Sequence, residues 1–134
     1  MKFILHKQGG DMILDDLKNF IVQNNIAEET DIKFDFDSAQ GEKAVLLHLY
    51  DNTPCDLARR SDIRISIKYN DLEEARNTCF DLHDLLFPED SFQKSIKINN
   101  KIMHSKLNKG PFYQGLDKSK RHNYILDITL TYNR

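Results

Sequence analysis

Residues 59–75 read Arg59-Arg60-Ser61-Asp62-Ile63-Arg64-Ile65-Ser66-Ile67-Lys68-Tyr69-Asn70-Asp71-Leu72-Glu73-Glu74-Ala75, and this stretch decides the fold class. Ile63, Ile65, Ile67 and Tyr69 alternate with Arg64, Ser66 and Lys68, the period of two expected of a strand with one buried face. Asn70 then offers an N-cap, with Glu73 three residues on in a variant of the capping box. Leu72, Ala75, Cys79, Leu82 and Leu86 follow at helical spacing, and Pro88 ends the helix. A strand that feeds straight into an amphipathic helix marks an α+β chain.

Upstream, Gly9-Gly10 separates a short leader (1–10) from a helix beginning near Asp11, with Ile13, Leu17, Phe20 and Ile21 on one face. Residues 32–37 alternate as a strand, Ser38 to Glu42 form a turn, and Ala44 to Tyr50 form an apolar strand antiparallel to the first. Asp51-Asn52-Thr53-Pro54 reads as a turn. Downstream, Phe92–Ile98 and Ile102–Leu107 read as strands, and residues 108–122 as a long polar loop. Tyr124, Leu126, Ile128, Leu130 and Tyr132 mark a terminal strand. The expected architecture is one domain over 1–134: a mostly antiparallel sheet with two helices packed on one face, the other face half polar and open to a partner.

The 134 residues suffice for one core that folds without a metal or a disulfide. A net charge of −2 gives no global attraction to nucleic acid or membrane, so local patches must carry any such binding. The two cysteines, Cys55 and Cys79, read as reduced thiols of a protein made in the cytosol. The apolar run near the N-terminus is too short for a signal peptide, and no run is long enough to span a bilayer, so a soluble protein is expected.

Chemistry-bearing motifs are sparse. Gly9-Gly10 lacks the context of a phosphate loop, and no GxSxG, HExxH or CxxC pattern occurs. Cys79 and His83 share a helix face, but further ligands are missing, so Cys79 reads as a core residue with His83 at its edge. Asp31, Asp35 and Asp37 lack calcium-loop spacing and read as a solvated face. No cofactor, metal or catalytic site is expected, and the chain does not read as an enzyme. Between Lys101 and His122, Lys101, Lys106, Lys109, Lys118, Lys120 and Arg121 face one acid, Asp117. That segment suits a nucleic-acid contact, a face that docks on an acidic neighbour, or a solvated loop.

Gly110-Pro111-Phe112-Tyr113-Gln114-Gly115, followed by a polar turn and an aromatic-rich terminal strand, resembles the small phage minor capsid family, with its tail-terminator or tail-completion fold. The 59–75 junction and Asp81-Leu82-His83-Asp84-Leu85-Leu86 are similar to the same family. The resemblance implies a non-enzymatic virion protein of the tail or neck, made in the bacterial cytoplasm. It implies a ring, a hexamer, that caps the tail tube and meets the tube protein and the head-completion or connector protein. A head-side connector or minor capsid component is the neighbouring alternative. A small nucleic-acid-binding module using Lys101–His122, or in passing contact with DNA, is the alternative from another class. No membrane partner is expected. Arg59, Arg60, Phe112, Tyr113, Lys118, Lys120 and Arg121 are the candidate assembly interface.

Overall fold

The computed structural model of the chain describes residues 9–35, 41–55, 58–88 and 93–133. Helix α1 spans Gly9–Gln23, a 3-10 turn covers Glu29–Asp31, and strands β1 (Ile32–Phe34), β2 (Lys43–Cys55) and β3 (Ala58–Tyr69) follow. Helix α2 (Leu72–Leu86) comes next, then β4 (Gln93–Ile98), β5 (Lys101–Leu116) and β6 (His122–Asn133). The strands form one curled six-stranded sheet in the order β1-β2-β3-β6-β5-β4. The fold is α+β, with both helices on one face of the sheet, as the alternation implied.

Central strands β3 and β6 set the core. Ile63 stands opposite Ile128 and Ile65 opposite Leu126, all fully buried. Cross-strand pairs of branched apolar residues on one face are what hold an antiparallel ladder in register. Helix α2 lays Ala75, Cys79, Leu82 and Leu86 against β3, β5 and β6. Helix α1 lays Ile13, Leu14, Leu17 and Ile21 against β2 and β3 and also touches β4, at the other end of the sheet. The curl makes that possible, and Asp16 on α1 clasps the β4–β5 turn by accepting from Asn99 Nδ2 and Lys101 Nζ, both at 3.1 Å.

Several local expectations shift. Asp71, not Asn70, caps α2, accepting from the Glu73 N–H at 3.0 Å, while the Asn70 N–H donates to the Glu42 carbonyl. The helix phase is as expected, with Ala75, Cys79, Leu82 and Leu86 buried, but Leu72 in the first turn is 45% exposed and Thr78 joins the buried stripe. Gly9 and Gly10 open α1 rather than precede it, at positions whose N–H groups have no helical acceptor in any case. Residues 1–8, Asp37 and Phe92 lie outside the described residues.

Strand β1 pairs with β2 in parallel, Ile32 beside Val45 and Phe34 beside Leu47, not as an antiparallel hairpin. The Asp35 N–H donates to the Leu47 carbonyl at 2.9 Å, which continues the parallel pairing, and residues 36–40 lie outside the described residues. Asp51–Pro54 is part of β2, with Pro54 beside Arg59. Among the described residues β1 flanks β2 at Val45–Leu47 and none pairs with the outer edge of β2 at Pro54, where a missing N–H is tolerated.

The largest correction concerns residues 108–122. They are not a loop: β5 continues to Leu116, and only 117–121 turn the chain into β6. The alternation is hidden because the β5–β6 register shifts between Leu107 and Lys109, Lys109 and Phe112, and Tyr113 and Gly115. Each bulge breaks the period of two on which a strand is recognised. Gly110 and Gly115 take the positive φ values of 98° and 107° that two of these bulges require.

Candidate interaction face

Among the described residues, none covers the side of the sheet away from the helices. Arg60, Asp62, Arg64, Ser66 and Lys68 project there from β3, because they alternate with the buried isoleucines. Asp127 and Thr129 of β6 lie beside Arg64 and Asp62, and Lys109 and Lys106 of β5 lie beside Asp127 and Thr129 in turn. Two rows of polar side chains, Asp62-Thr129-Lys106 and Arg64-Asp127-Lys109, therefore cross three adjacent strands, and hydrogen bonds tie them together.

Arg64 donates from Nε and Nη2 to the two carboxylate oxygens of Asp127 at 2.8 and 2.9 Å, a bidentate pair. The bond to Asp127 holds the Arg64 guanidinium above its ordinary pKa. Thr129 Oγ1 donates to Asp62 at 2.5 Å and accepts from Asn108 Nδ2 at 2.7 Å. Arg60 reaches Asp62 at 3.3 and 3.4 Å. Tyr50, in the β2 bulge, is 51% exposed and stacks beside His48 with ring centroids 6.3 Å apart. Burial first, and then the nearby charges of Asp127 and Asp62, raise the Tyr50 phenol pKa. On β5 the Lys109 ammonium lies 4.8 Å from the centre of the Phe112 ring, a cation–π contact.

The expected interface residues are not gathered into one patch. Arg59 and Arg60 stand beside Tyr132 and Thr131, near the C-terminal end of β6. Lys118 and Lys120 are exposed in the turn at its other end, roughly 30 Å away along a strand of this length. Phe112 and Tyr113 point to opposite faces: Phe112 pairs with Ile125 on the open side, and Tyr113 packs on Tyr124 and His122. The Tyr113 hydroxyl and His122 Nδ1 are 2.8 Å apart.

Arg121 is not available to a partner, being 1% exposed. Its Nε and Nη2 donate to Asp117 at 2.9 and 2.8 Å, and its backbone N–H donates to the same carboxylate at 2.9 Å. Burial alone would raise the Asp117 pKa, but these donors and the Ser119 N–H outweigh it and hold the carboxyl below its usual value. Arg121 is thus the internal brace of the β5–β6 turn.

The basic stretch is divided in the same way: Lys101 pairs with Asp16, while Lys106 and Lys109 join the open face. Sequence reasoning found these lysines but not their company, Arg64 and Lys68, which only the β3-β6-β5 strand order brings alongside.

Elsewhere, Cys79 is fully buried and its thiol is pushed up to about 12 by burial, so it is a core group and not a nucleophile. His83 Nδ1 contacts Asp84 at 3.0 Å and the ring packs on Phe87. A cleft near the start of α2 holds the Lys43–Glu74 ion pair, with Lys43 5.3 Å from the Tyr69 ring and Asp31 close by. Among the described residues, no group of three or more His, Cys, Asp or Glu side chains is placed to hold a metal ion. No described helix is long and apolar enough to cross a membrane. The chain matches no known family's sequence profile and no curated protein sequence.

Proposed function

We propose that this chain is a structural assembly protein that terminates or completes the tail tube of a long-tailed phage and joins it to the head connector, acting as a ring. The observation that carries the assembly reading is the uncovered sheet face, where charged and polar residues of β3, β6 and β5 are already ordered by one another. A face of that kind meets a macromolecule without first having to freeze its side chains. The phage setting rests on the resemblance of residues 59–75 and 110–115 to the minor capsid and tail-terminator family. Light scattering of the purified protein at several concentrations, with negative-stain images of it mixed with tail tubes, tests the reading. Rings and capped tubes are expected. A monomer at every concentration that leaves the tubes uncapped refutes it.

One observation favours a second reading. Lys106 and Lys109 share their face with Tyr50 and Phe112, a pairing of cations and aromatics that suits single-stranded nucleic acid. A salt-sensitive mobility shift by a monomer would select it.

A further inference from the structure

We infer that copies of this chain associate head to tail, the uncovered sheet face of one copy docking on the outer face of α2 of the next. This rests on the assembly reading above and names the partner of its site: a second copy. On the sheet face, Arg60, Arg64, Lys68, Lys106 and Lys109 outnumber Asp51, Asp62 and Asp127. On the outer stripe of α2, Glu73, Asp81 and Asp84 are exposed beside a single base, Arg76, and the capping Asp71 adds a further acid. The two surfaces carry opposite charge, although the chain as a whole is nearly balanced at −2.

Each surface also offers exposed apolar area of the kind that anchors an interface. Tyr50 and Ile102, 51% and 74% exposed, stand on the sheet face, and Phe80 and Leu72, 41% and 45% exposed, stand on α2. The two faces lie on opposite sides of a two-layer domain, with the core between them, so they cannot meet within one copy. Between copies they form a heterologous contact, which closes into a ring when the rotation per step divides a full turn. An interface steered by such charges weakens as salt screens them.

The experiment uses the full chain with paired charge reversals. One variant carries Lys106→Glu and Lys109→Glu on the sheet face, and the other carries Glu73→Lys and Asp81→Lys on α2. Circular dichroism and thermal melting check that both remain folded. Wild type is expected to form rings by light scattering, and each variant alone is expected to lose them, because its two faces then carry like charge. An equimolar mixture of the variants should restore the wild-type mass, since in a ring where they alternate each contact sets an acidic sheet on a basic helix or a basic sheet on an acidic helix.

If either variant alone assembles like wild type, the inference is overturned while the assembly reading survives on another surface. If both fail and the mixture also fails, the pairing of these two faces is overturned. If wild type never assembles, both readings fall. A wild-type monomer that binds a single-stranded oligonucleotide, with binding lost in the Lys106/Lys109 variant, would replace this partner with nucleic acid.

Discussion

Gly110 is where the shape of the open face is set, and replacing it with Ala should expose how. Its φ of +98° lies outside the left-handed well that L residues occupy, and a Cβ built there meets the Ile125 carbonyl oxygen at 2.4 Å and Leu126 Cα at 3.2 Å. The backbone conformation alone costs roughly 1–2 kcal/mol for a residue with a Cβ. The clash is with backbone of the central strand β6, which cannot swing aside as a flexible side chain would. Relieving it by shifting β5 adds about 1–3 kcal/mol, the usual range for forced overpacking. The expected total for Gly110→Ala is therefore ~2–5 kcal/mol.

Gly115 supplies the control, because its φ is +107° but a Cβ there meets nothing within 4 Å. Gly115→Ala should cost only the conformational share, roughly 1–2 kcal/mol. Urea denaturation of the two variants and the wild type, with thermal melts alongside, measures both. In a domain of this size each kcal/mol moves Tm by about 4 °C. Equal losses from the two substitutions would refute the argument, since they would leave the close approach of β5 to β6 with no energetic consequence.

Leu82 is fully buried on α2 and Asn77 is exposed on the same helix, so Leu82→Ala should cost about 2–5 kcal/mol and Asn77→Ala less than ~0.5 kcal/mol; similar values would mean the helix phase is wrong. In a Cys55→Ser background, Cys79 should resist a maleimide in the native state and react in full on unfolding, because burial pushes its thiol up to about 12; rapid native labelling would contradict that burial. Asp117 has a depressed carboxyl pKa, so its contribution to stability is present above the unfolded carboxylate value of ~3.9 and fades as pH falls through the lower folded value. The stability gap between wild type and Asp117→Asn should accordingly shrink as urea titrations move from neutral to strongly acid pH, and a gap unchanged with pH would exclude that origin.

The sequence disclosed most where one periodicity ran uninterrupted. Ile63–Tyr69 kept strict alternation and Tyr124–Tyr132 departs from it at Ile125, and both became central strands with Ile63, Ile65, Ile67, Leu126, Ile128 and Leu130 in the core. Helix α2 was legible for the same reason, apart from a one-residue error at its cap. The failures fall where a local signal competed with a non-local one. Asp51–Pro54 has the residues of a turn, yet it extends β2 because β3 pairs with it across its full length. In β5, Gly110-Pro111 and Gly115 looked like loop punctuation, but the glycines serve bulges inside a strand held by β6. Arg121 looked like one more surface cation, and nothing in its immediate sequence foretold that Asp117 would fold the turn around it. The open face was half legible: alternation placed Arg64 and Lys68 opposite the isoleucines, but their neighbours depended on a strand order that periodicity does not encode.

That division bears on how the face can work. Asp62, Asp127 and Thr129 are each nearly buried, although no helix covers them. They are desolvated by their neighbours on the sheet, and each has a partner there: Arg60 and Thr129 for Asp62, Arg64 for Asp127, Asn108 for Thr129. Leaving such groups unpaired would cost each its full desolvation penalty, so the network holds its geometry whether or not a partner is bound. The carboxylates are thereby committed within the sheet, and the rim of the face is left to Lys106, Lys109 and the exposed part of Tyr50. A partner gains little by competing for Asp62 or Asp127 and much by supplying acids to that rim. In the proposed contact, recognition would act through the periphery of a rigid polar centre, which is why the charge reversals belong at Lys106 and Lys109 and not at Arg64, whose loss would strand Asp127 and confound folding with docking.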